Sequence, residues 1–350
     1  MSLAAILVLC TAQLSTAIPM RTADPFVGYV VVDAEVGEIL DQKNGDAQAY
    51  PASIVKLMDL LIIVEAVEKG EHKLDEQVRV TAEASKIGGS QVYLKEGEVF
   101  TLDEMLAAMV VKSANDVAGA LAIHMAGSTG GFVARMNDRA KQLGMTSTRF
   151  GSVHGLPPDM KKGQEVDSST PSDIAKLCLE IVRHPLAMKY TSTTFRKFRN
   201  DTFELRSHNY LLGKVPGCDG LKTGFFDEAG FSIAATALRN GKRVIAVVMG
   251  SKSRQTRDQR AAELLETGFV RLVEVERERQ EKKAREMREA AERAAKEKAE
   301  AAERARARRN AIIWSCVAGI LVAGIVGAVV AARRRLGRRD DGFEFRIGPF

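Results

Sequence analysis

The chain has too few cysteines for a disulfide framework, and the four it has, in 350 residues, stand at no metal-ligating spacing. Cys10 and Cys316 fall in apolar terminal segments, which leaves Cys178 and Cys218 for the interior. A single bridge between those two and a pair of free buried thiols are both open, with free thiols expected. The first 270 residues also lack a basic excess. Residues 271–350 hold 20 Lys/Arg against 13 Asp/Glu, so about −1 of the formal +6 is left for the rest. With no electrostatic footprint on the folded part, nucleic-acid binding is excluded. Residues 271–309 contain neither glycine nor proline, so nothing in them interrupts a helix. No lysine or arginine precedes the apolar core Leu3–Cys10, the charge that a secretory leader ordinarily carries.

Despite that missing charge, residues 1–17 read as a signal peptide, with Ser15 and Ala17 meeting the small-x-small cleavage rule. At the other end, residues 271–309 are nearly all Glu, Arg, Lys and Ala. Opposite charges recur at helical spacing, as in Glu278–Lys282 and Glu281–Arg285. The alanine stripe is too thin for a strong coiled coil, so a solvated single helix about 58 Å long is expected at ~1.5 Å per residue. Residues 311–332 are uncharged, apolar and long enough to span a bilayer once. Arginines flank that segment on both sides, and the leader decides the orientation. The expected order is signal peptide 1–17, enzyme domain 24–270, stalk 271–309, transmembrane helix 311–332 and cytoplasmic tail 333–350.

Between these ends, Val27–Asp33 and Glu38–Gln42 read as a hairpin, and an apolar helix follows from Leu57. Short strands are expected at Gln77–Thr81 and Gln91–Leu94. Thr101-Leu102-Asp103-Glu104 is a capping box that opens a helix ending at Lys112. Further helices are expected at 116–126 and 130–143, and another begins at Thr170-Pro171. Gly220–Phe226, Phe231–Leu238 and Lys242–Met249 read as strands, the last two joined at Arg239-Asn240-Gly241. A helix over Arg257–Val270 closes the domain. Strands at both ends of a helical middle imply an α/β fold, one sheet built from both termini with a helical subdomain inserted.

The chemistry centres on Ser53-Ile54-Val55-Lys56. Residues three apart share a helix face, so Lys56 reaches the Ser53 hydroxyl. A serine needs a base to become a nucleophile, and a lysine serves once burial lowers its pKa. About one S-x-x-K arises by chance in a chain this long. Here, however, Ser113-Ala114-Asn115 and Lys222-Thr223-Gly224 follow in order. The ordered series S-x-x-K, S-x-N, K-T-G marks penicillin-binding proteins and class A β-lactamases. Ser207-His208-Asn209 also fits S-x-N but lies too near the K-T-G. Gly224 is read as leaving the strand face open to a ligand.

Over residues 25–270 the chain resembles the D-alanyl-D-alanine carboxypeptidases, the low-molecular-mass penicillin-binding proteins. The likeness includes Asp33 and Gly37 of the hairpin, Pro51-Ala52-Ser53, Lys112 to Asp116, Leu143-Gly144-Met145, Val153-His154-Gly155-Leu156 and Gly220 to Gly224. It implies a β-lactamase/transpeptidase-like fold and a Ser53 acyl-enzyme with Lys56 as base. Ser113 then relays a proton to departing D-alanine, and the Ser53 and Phe225 N–H groups form the oxyanion hole. Asn115, Lys222, Thr223, Gly224 and Arg257 bind substrate, with Arg257 either a carboxylate contact or a solvated helix residue. His154 is expected to order its loop. The substrate implied is the peptidoglycan stem peptide, and β-lactams are the covalent inhibitors implied. No metal or cofactor is implied. The setting is a bacterial cell membrane with the domain outside the cytoplasm. An endopeptidase, transpeptidase or β-lactamase using the same site is one alternative, and an idle membrane-tethered scaffold another. No glutamate in an E-x-x-L-N context lies between Asn115 and Lys222, so a penicillin adduct should leave slowly.

Overall fold

The computed structural model of the protein describes residues 25–158 and 164–337. The expected leader at 1–17 and the tail from 338 onward lie outside the described residues. The chain divides into two units at Glu274/Val275. In the first, strands β1 (Gly28–Asp33), β2 (Ile39–Lys43), β7 (Cys218–Phe226), β8 (Gly230–Arg239) and β9 (Lys242–Ser251) form one antiparallel sheet. Its order is β2-β1-β9-β8-β7, so the two ends of the domain meet at β1 and β9, with Val30 opposite Val247. β8 and β9 are buried along most of their length, and their sequences are accordingly near-continuous apolar runs. Val30 and Val32 point into the main core, while Val31 and Val244 meet Gly268 of the C-terminal helix.

The inserted helices are α1 (Lys56–Glu68), α2 (Leu102–Val111), α3 (Asn115–Ala126), α4 (Thr129–Gln142), α5 (Pro171–Ile181) and α6 (Pro185–Thr191). α1 is buried on nearly every face, from Lys56 to Ala66, and forms the axis of the core. α2 opens on the expected capping box: Glu104 N–H donates to Thr101 Oγ1 at 3.2 Å, and Thr101 N–H donates to Glu104 Oε2 at 2.9 Å. α5 starts with Thr170 as cap and Pro171 at its first position. Two smaller ladders complete the domain, β3 (Gln77–Arg79) with β4 (Val99–Thr101), and β5 (Phe195–Phe198) with β6 (Phe203–Arg206).

The structure departs from these expectations in several places. Gln91–Leu94 is not a strand, because the Asp116 carboxylate takes the Val92 and Leu94 amides at 3.3 and 3.0 Å. The β5–β6 hairpin was not expected; its apolar signal is carried by isolated residues. The helix at Arg257 does not end at Val270: α7 runs from Arg254 to Gly337 without a break. Ion-paired residues with no glycine or proline carry it through, and Gly268 is tolerated because it packs on Val31 and Val244. Cys178 and Cys218 are free thiols, the first buried and the second partly exposed.

The described part of the second unit is α7 from Val275 onward. Its apolar stretch leaves Ile313, Trp314, Ile320, Leu321, Ile325 and Val329 exposed, and by length and composition it is able to cross a membrane. In the first unit, the capping box sets the entry to α2 and is testable. Thr101→Ala removes the cap that holds the Glu104 amide. It should cost about 1 kcal/mol and lower Tm by roughly 2–4 °C in thermal unfolding.

Candidate active site

Ser53 does not sit inside an α-helix. It lies in a 3-10 turn, Ala52–Val55, whose last residue leads directly into α1 and Lys56. Ala52 adopts φ +48°, a left-handed conformation that costs a non-glycine residue about 1–3 kcal/mol and is retained where surrounding structure enforces it. Two neighbours enforce it here. Gly155 has no side chain, and a Cβ there would collide with the Ala52 carbonyl oxygen. Gly224 on β7 lies against the other side, where a Cβ would collide with the Pro51 carbonyl oxygen and lie 3.2 Å from Ser53 N. Gly224 therefore lets the strand approach the nucleophile's own turn, and it also lines the cleft beside Ser53.

Lys56 is fully buried. Its Nζ donates to Ser53 Oγ at 3.1 Å, to Asn115 Oδ1 at 2.8 Å and to the His154 carbonyl at 2.6 Å. Burial lowers its pKa from 10.5 to about 8, partly offset by Asp59, Asp167 and Asp116. Asn115, the first residue of α3, is itself held by donating Nδ2 to the Gly88 carbonyl at 2.8 Å. Asp59, one turn beyond Lys56, is a buried carboxyl with no hydrogen-bond partner on either oxygen among the described residues. Burial raises its pKa well above 3.8, against the pull of the Lys56 amine beside it. Nothing in its spacing had marked it.

A cleft of about 360 Å³ opens beside this pair, lined by Ser53, Ser113, Asn115, Thr223, Phe225 and Arg257 among others. Ser113 sits at φ +63° between α2 and α3, and its buried Oγ has no partner among the described residues. β7 is the last strand of the sheet, so its outer edge faces the cleft. Lys222 is not on the cleft lining. It is buried behind it, donating Nζ to the Thr223 carbonyl at 3.0 Å, and burial with Lys56 and Arg257 nearby lowers its pKa well below 10.5. Phe225 is half exposed and stacks on Phe231 at 4.1 Å.

Arg257 is 3 % exposed, which rules out a solvated helix residue. Asp258 Oδ1 accepts from its Nε at 2.8 Å and its Nη2 at 2.6 Å. Arg254, Tyr210 and His208 are among the cleft residues that were not foreseen. Arg254 lies over the Tyr210 ring at 5.5 Å. His208 is held near pKa 4 by burial and by Lys222, Lys112, Arg254 and Arg257, so it is neutral at pH 7. It belongs to the Ser207-His208-Asn209 segment set aside as a false twin. Asn209 is indeed occupied elsewhere, donating to the Gly220 carbonyl at 3.0 Å. His154 keeps its ring on its own loop, where Nδ1 accepts from Leu156 N–H at 3.2 Å, while its backbone carbonyl holds Lys56.

Fold and site together define a class: a penicillin-binding-protein-like α/β domain with a serine–lysine pair at the start of an inserted helix and a K-T-G strand along the cleft. The chain belongs to the D-alanyl-D-alanine carboxypeptidase family, whose model matches residues 22–253. It is 35 % identical over 243 residues to D-alanyl-D-alanine carboxypeptidase DacF of Bacillus subtilis, covering 69 % of this chain and 61 % of that protein. It is 31 % identical to DacC of Escherichia coli, over 69 % of this chain and 60 % of that one. The chain thus spans about three fifths of the length of these curated relatives. Among solved structures it resembles penicillin-binding protein D2 of Listeria monocytogenes in its ampicillin-bound form. The identity there is 33 % and the TM-score 0.64, with 71 % of this chain and 99 % of that one covered.

The close approach of β7 to the Ser53 turn carries its own test. Gly224→Ala should force the turn outward at ~1–3 kcal/mol, lowering Tm by several degrees. Covalent labelling of Ser53 by a fluorescent penicillin should fall more steeply than stability, since the displaced atoms carry the nucleophile.

Proposed function

We propose that this chain is a serine D-alanyl-D-alanine carboxypeptidase that removes the terminal D-alanine from peptidoglycan stem pentapeptides, and that β-lactams acylate the same serine. The observation that carries this reading is the 3.1 Å contact between Ser53 Oγ and a fully buried Lys56 amine whose pKa is about 8. Such an amine is partly unprotonated at neutral pH and accepts a proton from the hydroxyl. In the proposed cycle Lys56 takes the Ser53 proton as Oγ attacks the penultimate D-alanine carbonyl. The Ser53 and Phe225 N–H groups hold the oxyanion. Ser113, whose buried Oγ has no competing partner among the described residues, passes a proton to the departing amine. Water then attacks the ester and restores Ser53. Asn115 keeps the Lys56 amine pointed at the hydroxyl.

The free carboxylate of the substrate goes to the cationic end of the cleft, where Thr223, Arg254 and Arg257 line the wall. Two bonds to Asp258 fix the Arg257 guanidinium plane without using its Nη1. Residues 1–17 act in this proposal as the leader, 24–270 as the enzyme, 271–309 as the stalk and 311–332 as a single membrane span. The domain would lie outside the cytoplasm and residues 333–350 inside.

Two experiments bear on this. Fluorescent penicillin should label the peptide holding Ser53, Ser53→Ala should abolish labelling, and Lys56→Ala should nearly do so. The acylation rate should rise with pH as Lys56 loses its proton, half-maximal near the amine's value of about 8 and level above it. A rate flat across that midpoint would remove Lys56 as the base. The second experiment compares pentapeptides ending in a free acid and in an amide. Charge-assisted bonds contribute ~1.5–3 kcal/mol, so Arg257→Ala should lower kcat/KM on the free acid by roughly ten- to a hundredfold at ~1.4 kcal/mol per decade. The amide should lose much less. Equal losses would make Arg257 structural, and a wild-type preference for the amide would favour an endopeptidase.

A further inference from the structure

Away from the cleft, two of the chain's five histidines meet on one carboxylate oxygen. His72 Nδ1 lies 2.7 Å and His124 Nε2 2.6 Å from the same Glu76 Oε1. The three ligand atoms lie within 4.8 Å of one another. His72 and Glu76 come from the loop between α1 and β3, and His124 from the last turn of α3, 48 residues beyond Glu76. Spacing along the chain therefore hid the cluster.

The carboxylate is oriented before any ligand arrives. Its second oxygen, Oε2, accepts Lys73 N–H at 2.8 Å, which leaves Oε1 for the imidazoles. Glu76 is anchored through its backbone as well, where its carbonyl accepts Leu102 N–H at 3.0 Å. Such outer bonds are what hold metal ligands in register. A second cluster of similar composition, Glu65, Glu180 and His184, makes a useful contrast. There Arg139 already supplies the positive charge, bonding Glu65 at 2.5 Å and Glu180 at 3.1 Å. No lysine or arginine side chain is bonded to Glu76 among the described residues.

We propose that His72, Glu76 and His124 form a binding site for a zinc-like divalent transition metal that ties the loop after α1 to the C-terminal end of α3. Two imidazoles and one carboxylate suit zinc and disfavour magnesium and calcium, which take oxygen ligands. Metal–ligand bonds of ~2.0–2.1 Å in a tetrahedron separate ligand atoms by ~3.3 Å, so the carboxylate moves away from the imidazoles by roughly 0.7 Å. Metal binding would take one ring nitrogen of each imidazole and leave the ring proton on the nitrogen facing away from the metal. Both histidine side chains and the carboxylate are 25 % exposed, which leaves the fourth position open to water. The same helix begins at Asn115, which holds Lys56, so the metal would brace the far end of the helix that positions the proposed base.

The test uses the full chain in detergent micelles, stripped with a chelator and titrated with zinc alone against a chromophoric competitor. One zinc per chain should bind with a micromolar or tighter Kd. Tm should rise by roughly 5–10 °C at about a hundred times Kd. Cobalt in its place should give the intense visible absorption of a four-coordinate ion. His72→Gln and His124→Gln should each weaken binding by more than ~100-fold and abolish that absorption, whereas His184→Gln should change neither. Both variants should still label with penicillin, which shows that they fold. Failure of the wild type to take up stoichiometric zinc would overturn the proposal. So would zinc affinity that survives both substitutions, or a cobalt spectrum of six-coordinate type.

Discussion

A lysine amine taken wholly out of water is the constraint on which the rest of this structure depends. Burial, net of the nearby carboxylates, opposes the charge of Lys56 by roughly 3 kcal/mol, taken from the fall of its pKa from 10.5 to about 8. The amine is kept from becoming an orphaned donor by three acceptors, Ser53 Oγ, Asn115 Oδ1 and the His154 carbonyl. Each comes from a different part of the chain: the turn before α1, the start of α3 and the loop at 154. The three segments must be in place together for the amine to be both buried and bonded. Partial satisfaction would leave a buried polar group unpaired, at ~1–3 kcal/mol.

Two of the non-glycine residues that adopt positive φ stand at this site. Ala52 and Ser113 both hold positive φ, and both flank groups that line the cleft. Glycine appears where backbone meets backbone, at Gly155 and Gly224 on either side of the Ser53 turn. The sheet supplies the rigidity. β7, which carries Lys222 to Phe225, is anchored through β8 and β9 to β1, so the cleft wall is registered against strands from both ends of the domain. Asp59, buried with no hydrogen-bond partner among the described residues, adds to the cost of the site rather than to its stability.

The cleft shows the same division of labour in charge. The first 270 residues are nearly neutral overall, yet Lys56, Lys222, Arg254 and Arg257 lie on or just behind one wall. Of these, Arg254 and Arg257 line the end of the cleft where the proposed substrate presents a carboxylate. His208, pressed by those cations toward its neutral form, adds a polar group without adding charge.

What the sequence determined by itself was whatever depends on local order. The capping box at Thr101, the proline start of α5 and the apolar runs of β8 and β9 each act within a few residues, and each stands where its pattern placed it. The three ordered motifs were legible for the same reason, since a residue's type and order survive without coordinates. The pairing of Ser53 with Lys56 needed only a turn's geometry. Tertiary structure alone decided which backbone amides a distant carboxylate would claim. Asp116 took those of Val92 and Leu94, and a segment with strand-like composition became loop. It alone revealed that Gly224 serves a contact with Pro51 and Ser53, and that Arg257 is buried beside Asp258. It alone brought His208 to the cleft and His124 to His72 and Glu76. Apart from Arg257 and its sequence neighbour Asp258, these are meetings between residues far apart in the chain, and burial, which sets the pKa of Lys56 and Asp59, exists only once the chain has closed around them.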